Sequence, residues 1–243
     1  MSLELYNSPV STCSQKVRMV LAEKGLDWID RTIEFEKGEH IAEDYLKLNP
    51  NGVVPTLVHD GHVILDSSVI NEYLEDVFPE RPLRPKRHFE VAHMRAWRQY
   101  IDEVPTDSIR YPSFNAYFLR LTRSMSDHEF EEYTERLPLR KHFYRRMGRT
   151  GFSKSEIDAA LDKLRQTVDR MDKALSSTRW LAHDAFTLAD VSIMPTVVRM
   201  EDLGLSHIWA DLPHVIDWFS RLKDRPAFAD TYSLRSRELA AAC

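Results

Sequence analysis

The chain has 243 residues, 43% of them hydrophobic and 29% charged, with a formal net charge of −5 at pH 7. That length holds one large domain or two modest ones, with apolar residues enough for a sizeable core. The mild acidic excess argues against nucleic acid as a partner. No apolar run approaches the roughly 20 residues that a membrane span needs, and the N-terminus lacks the basic-then-apolar pattern of an export signal, so a cytoplasmic protein is expected.

Leu3–Tyr6 reads as a strand ended by Ser8-Pro9. A helix follows from about Cys13 to Lys24, with Val17, Val20 and Leu21 on one face and Gly25 as its stop. Trp28–Ile33 reads as a second strand, and Glu39–Leu48 as a short helix halted by Asn49-Pro50. Thr56–Val58 and Val63–Leu65 flank His59-Asp60-Gly61-His62, a hairpin signal with Gly in the turn. Asp66-Ser67 then opens a helix expected to turn Val69, Ile70, Tyr73, Leu74 and Val77 inward. This order gives an α/β domain with a mixed sheet over residues 1–78. Pro79, Pro82 and Pro85 mark a linker at 79–87.

Residues 88–243 read as all-helical. One helix covers His88–Glu103; the aromatic stretch Pro105–Thr122 resists assignment; a charged helix begins near Ser126-Asp127. Ser155–Leu175 carries a regular apolar stripe at Ile157, Ala160, Leu161, Leu164, Val168, Met171 and Leu175. Thr187 and Asp190 have capping-box spacing, with Phe186 and Val191 at the staple positions. Pro195 is expected to kink the helix that follows, and helices near Leu212–Lys223 and Pro226–Ser233 complete the chain.

The two cysteines, Cys13 and Cys243, form no CxxC pair, and no close Cys or His pair has zinc-ligand spacing, so no metal is expected. Cys243 is expected to be frayed and without a role. The seven glycines form neither GxGxxG nor a P-loop, against a nucleotide site. Ser11, Thr12 and Ser14 are good helix-start residues, and Thr12 has capping spacing to Gln15. Cys13 at that start is either an acidified thiol or a small hydrophobe on the Val17–Leu21 stripe. Val54-Pro55 is either a cis bond or an ordinary strand entry, Asp66-Ser67 is a good cap, and His40 alone reads as an exposed loop histidine. Met94, Trp97 and Ile101 share a helical face, as core or as pocket wall. Arg136, Arg140, Lys141, Arg145, Arg146 and Arg149, interleaved with Phe143 and Tyr144, form either a site for an anionic substrate or partner or, given the acidic neighbours Glu131, Glu132 and Glu135, a solvated, salt-bridged helix.

Ser11-Thr12-Cys13-Ser14, Gly38-Glu39-His40, Asn49–Pro55, Asp66-Ser67 and Thr187-Leu188-Ala189-Asp190, in this order, resemble the cytosolic glutathione transferase superfamily over nearly the whole chain. Ser11–Ser14 is similar to the corresponding motif of zeta-class isomerases and related reductive dehalogenases. Met94-Arg95-Ala96-Trp97, the insertion with Met125–Glu132, and its exit through Gly151-Phe152 resemble bacterial lignin β-etherases. The resemblance implies a thioredoxin-like N-terminal domain, an all-α C-terminal domain, glutathione as co-substrate and a homodimer.

It also implies roles. Ser11, with Thr12 beside it, would hydrogen-bond the glutathione thiolate at a helix N-terminus. Cys13 would instead form a mixed disulfide with glutathione. Pro55 would be cis, turning the backbone of Val54 toward the cysteinyl part of the tripeptide. Ser67 would meet the γ-glutamyl carboxylate and Asp66 its ammonium. His40, or else Lys37, would meet the glycyl carboxylate. Val10, Met94, Trp97, Tyr100, Ile101, Tyr111, Phe114, Tyr117 and Phe118 would wall a pocket for an apolar, aromatic electrophile. Three functions follow: conjugation or β-aryl ether cleavage through Ser11; a Cys13-dependent reductase, dehalogenase or isomerase; or a non-catalytic interaction module of the same fold.

Overall fold

The computed structural model describes residues 2–232. Cys243 and Ser233, the last residue of the final expected helix, lie outside them. Strands β1 (Leu3–Asn7), β2 (Ile29–Thr32), β3 (Thr56–His59) and β4 (His62–Leu65) form one mixed sheet of order β2-β1-β3-β4. β1 pairs parallel with β2 and antiparallel with β3, which pairs antiparallel with β4. The parallel pair requires a crossover, which helix α1 (Thr12–Lys24) supplies. Asp60 and Gly61 both have positive φ, 46° and 82°, as the tight β3–β4 hairpin demands. The expected helix at Glu39–Leu48 is shorter. Two 3-10 turns, Phe35–Lys37 and Glu39–Ile41, precede helix α2 (Glu43–Leu48).

Helix α3 (Ser67–Val77) buries Ile70 and Leu74, but Val69 and Val77 face outward, 56% and 37% exposed. The 3.6-residue period puts Val69 well around the helix from Leu74, so the inward expectation was too broad. The linker is tied down: Lys24 donates to the carbonyls of Phe78 and Arg81, and the buried Glu75 carboxylate accepts from the Leu83 N–H.

The C-terminal domain is helical: α4 (His88–Glu103), α5 (Pro105–Ser108), α6 (Arg110–Ser113), a π-turn at Phe114–Phe118, α7 (Leu119–Thr122), α8 (Asp127–Glu135), α9 (Lys141–Met147), α10 (Lys154–Leu175), α11 (Leu188–Asp202), α12 (Pro213–Lys223) and α13 (Pro226–Thr231). Capping boxes start three of these helices, at Ser126/Glu129, Ser153/Glu156 and Thr187/Asp190. α11 runs unbroken through Pro195, with every residue from Leu188 to Met200 buried. One apolar core joins the domains: Val17, Val20 and Leu21 of α1 belong to the same cluster as Val191, Met194 and Val198 of α11. α1 packs against α3, α11 and α13, so its N-terminus emerges between the domains from a fixed base.

A second, smaller core places the insertion. Leu137, Tyr144, Met147 and Phe152 pack with Ile41 of the N-terminal domain. Asn115 clamps the exit of this segment: its amide donates to the Phe152 carbonyl (3.2 Å) and its carbonyl accepts from the Phe152 N–H (2.8 Å). Gly52 permits the approach. Its φ is +60°, and a Cβ there would stand 2.9 Å from Pro138 Cδ. Gly52→Ala is expected to lower stability by about 1–2 kcal/mol from backbone strain alone, with a further loss as the insertion lifts from His40. Urea unfolding checks the first effect and the KM for glutathione the second.

Candidate active site

Where α1 emerges, a cleft of about 750 Å³, counted to its open mouth, lies between the domains. Val10, Ser11, Thr12 and Cys13 form its floor, His40 and the stretch Gly52–Val54 one side, and Ile109, Arg110, Phe114, Phe118 and Arg140 the other. Ser11 is the N-cap of α1, with extended backbone, and its Oγ accepts from the Ser14 N–H at 3.2 Å. The expected cap, Thr12, is instead the first residue of the helix. A carbonyl-to-N–H bond from Ser8 to Ser11 (3.1 Å) tightens the loop before it. The cap bond leaves the hydroxyl hydrogen of Ser11 free to donate toward an anion at the positive end of α1. Cys13 is a free, half-buried thiol in the same floor.

The loop is held from behind. Arg18 is buried and donates to Asn7 Oδ1 (2.8 Å) and the Pro9 carbonyl (3.0 Å). Arg199 of α11 reaches the Val10 carbonyl at 2.6 Å. Both domains thus fix the floor.

The Val54-Pro55 bond is cis. The Val53 carbonyl accepts from Tyr45 Oη (2.7 Å) and Asn49 Nδ2 (2.8 Å). The backbone N–H and C=O of Val54 have no hydrogen-bond partner among the described residues, although Val54 is buried and lines the cleft. Buried backbone groups are seldom left unpaired, and this pair fits one added extended strand.

His40 is not the exposed loop histidine that the sequence alone describes. The insertion covers it: it is 4% exposed, edge-on to Phe35, and its Nδ1 has no partner. Burial, with help from the positive charge of Arg136, pushes its pKa down from 6.5 to about 4. The neutral ring is therefore favoured in the folded protein. Between pH 6.5 and 4 the unfolded chain binds a proton that the folded one refuses, so stability falls as pH drops through that window, by up to about 3 kcal/mol. His40→Gln is expected to flatten that part of the stability–pH curve, read from unfolding midpoints. Lys37, the alternative, is exposed, does not line the cleft and pairs with Glu34 at 2.7 Å.

Asp66 and Ser67 do not line the cleft; they stand at the start of α3. Asp66 has φ 71°, and its Oδ1 caps the N–H groups of Ser68 (2.8 Å) and Val69 (3.1 Å). Ser67 is buried.

The expected electrophile wall divides. Val10 and Phe114 line the cleft, and Phe114 stacks on Phe118 at 4.5 Å. Met94, Trp97 and Ile101 do not: they are buried in the main core against α10 and α11. Tyr100 bonds Thr167 at 2.9 Å. Tyr111 packs on Phe143 and Phe152 in the second core. Tyr117 lines a neighbouring cavity of about 970 Å³ that shares Val10, Phe35 and Phe118 with the first. Periodicity identifies a buried face; it does not say whether core or cavity covers it. Phe35, Ile109, Arg110 and Arg199 were missed as cleft residues, and Arg140 and Tyr144 had a local signal only as parts of the basic run. In that run Lys141, Arg145, Arg146 and Arg149 do pair with acidic neighbours. Arg140 departs from it and turns into the cleft.

A thioredoxin-like mixed sheet, a helical domain and a cleft at the N-terminus of α1 beside a cis-proline define a glutathione-dependent enzyme. The chain belongs to the glutathione S-transferase family: the family model of the N-terminal domain matches residues 10–77 and that of the C-terminal domain residues 132–226. Glutathione is its co-substrate. It is 32% identical to protein LigF of Sphingobium sp. strain SYK-6 over 98% of this chain and 96% of that one. The crystal structure of that β-etherase superposes with a TM-score of 0.87 over 96% of this chain and 99% of that one. A tetrachloro-p-hydroquinone reductive dehalogenase of Sphingobium chlorophenolicum is 25% identical, over 93% of this chain and 94% of that one. Glutathione transferase F7 of Populus trichocarpa is 26% identical with a TM-score of 0.76, over 96% of this chain and all of that one.

Proposed function

We propose that the enzyme ionises glutathione against Ser11 and directs the thiolate at an aromatic electrophile, by conjugation or by cleavage of a β-aryl ether. The observation that carries this reading is one cleft holding the Ser11 hydroxyl at a helix N-terminus, the unpaired backbone of Val54 and the stacked rings of Phe114 and Phe118. In this reading His40 takes the glycyl carboxylate, the N–H and hydroxyl of Ser67 at the start of α3 take the γ-glutamyl carboxylate, and Asp66, whose first oxygen caps the N–H groups of Ser68 and Val69, takes the ammonium through its second. In the ether version the thiolate attacks the carbon bearing the aryloxide, a C–S bond forms, the C–O bond breaks and phenolate leaves. Similarity to a β-etherase over nearly the full chain favours that version.

The test is incubation with glutathione and an α-aryloxyacetophenone. Phenol is expected to appear in step with a glutathione conjugate, and only with glutathione present. A protein that binds glutathione but turns over neither this ether nor a generic aryl halide contradicts the proposal. The free thiol of Cys13 in the floor supports a second reading, a Cys13-dependent reductive or isomerising enzyme.

We also propose that residues 1–78, 79–87 and 88–243 are the glutathione domain, linker and substrate domain of a cytoplasmic homodimer. Exposed apolar residues from both domains, Val69 on α3 and Phe89 on α4, 56% and 82% exposed, support pairing of one protomer's first domain with its partner's second. Sedimentation equilibrium is expected to give a dimer that Phe89→Ser shifts toward monomer; a wild-type monomer removes this part.

A further inference from the structure

The cleft is lined by three arginines and, among the described residues, by no Asp or Glu. Two arginines are partly or wholly engaged. Arg199 bonds the Val10 carbonyl and lies 4.9 Å over the Tyr117 ring. Arg110 gives one nitrogen to Asp107 Oδ1 at 3.0 Å. Arg140, half-buried, has no side-chain hydrogen bond and no ion pair within 4 Å among the described residues. Burial and the like charge of Arg110 both disfavour its charged form, and the fields of Cys13 and Asp107 only partly offset them. A half-buried guanidinium beside a second one, with no counter-charge of its own, is a costly arrangement that an anion relieves.

In the proposed reading the γ-glutamyl carboxylate goes to the start of α3, outside the lining of this cleft, which leaves three anionic groups to place in it: the thiolate, the glycyl carboxylate and any charge that the electrophile carries. The thiolate already has Ser11 and the α1 N-terminus, and the glycyl end has His40 on the opposite side. Arg110 and Arg140 stand on the C-terminal domain's side, with the Phe114–Phe118 stack between the same walls. Resting on the reading that glutathione occupies the floor, we infer that Arg140 and Arg110 form an anion subsite for the electrophile, and that the substrate is an aromatic carboxylate. A planar guanidinium matches a carboxylate bidentately, and an aromatic bed beside it orients the ring.

The test uses protein saturated with S-methylglutathione, which cannot attack, and calorimetric titration with two aromatics differing only by the carboxylate: 3,5-dinitrobenzoate and 1,3-dinitrobenzene. The benzoate is expected to bind about ten-fold more tightly or better. Arg140→Gln should abolish the preference, Arg110→Gln reduce it, and Arg140→Lys keep part of it, with circular dichroism unchanged. Equal binding by the wild type, or a preference that survives Arg140→Gln combined with Arg110→Gln, overturns the inference. So does an Arg140→Gln protein that keeps the preference but loses affinity for S-methylglutathione, since Arg140 would then serve the tripeptide. A wild type that does not bind S-methylglutathione rejects the glutathione reading itself. The same two titrations without it then still show whether the arginines select a carboxylate.

Discussion

Replacing Ser11 by alanine is expected to lower kcat/KM by about 10²–10³-fold, the usual cost of removing one donor from a developing or resident anion in a protected site. The residue does two jobs. It lines the cleft with a hydroxyl free to donate, while its oxygen caps α1 through the Ser14 N–H at 3.2 Å. The cap is worth about 1 kcal/mol of stability, so the variant should unfold earlier yet remain folded at room temperature. A bound thiol deprived of its donor should titrate at higher pH, so the residual activity of Ser11→Ala should rise further with pH than that of the wild type. Cys13→Ser separates the competing chemistry. If the Ser11 reading holds, its kcat/KM stays within about two-fold of wild type, less than 0.5 kcal/mol. Collapse of turnover with glutathione affinity intact transfers the reaction to Cys13.

The second large effect lies far from the cleft. Asp190→Ala is expected to cost about 3–5 kcal/mol of stability, because several buried donors lose their acceptor at once. The carboxylate is fully buried and accepts from the N–H groups of Leu181 and Thr187, the Thr187 hydroxyl and Trp218 Nε1, all at 3.0–3.1 Å. It joins the start of α11 to α12 and to the loop before it. α11 carries Arg199, which holds the Val10 carbonyl, so loosening this helix should also disorder the cleft floor. Urea unfolding gives the stability change. Asp190→Asn, which keeps the shape and one acceptor oxygen, should lose less than Asp190→Ala. Equal losses in the two variants would mean that volume rather than hydrogen bonding decides.

These two positions mark what a sequence makes legible. Thr187 and Asp190 are three residues apart, and their chemistry is local, so spacing alone revealed the box. The mixed sheet followed from short apolar runs, the hairpin from Asp60-Gly61 and the cis bond from a motif around Val54-Pro55. The cap of α1 was misplaced by one residue because Ser11, Thr12 and Ser14 all suit it. The cleft's distal wall was legible in part: Phe114 and Phe118 stood out in the aromatic stretch, whereas Ile109, Arg110 and Arg140 did not. Met94, Trp97 and Ile101 satisfy a helical period whether they meet α10 and α11 or a ligand, and they meet the helices. His40 lies buried against Phe35, and residues far along the chain, Leu137 and Tyr144, pack on its neighbour Ile41 and line the same cleft, which no local pattern announces. Arg140 sits in a basic run whose charge was visible, but most of its neighbours find acidic partners, and neither spacing nor charge said which member would turn inward.

The claim beneath all of this is that the floor and the Val54 edge hold glutathione with its sulfur ionised. Its most direct test is a pH titration of the bound thiol by its ultraviolet thiolate absorbance. The bound sulfur is expected to ionise about two units below the free-thiol value near 8.5, and to return most of the way toward it in Ser11→Ala. A bound thiol that titrates where free glutathione does, or a wild-type protein that binds no glutathione, contradicts the claim.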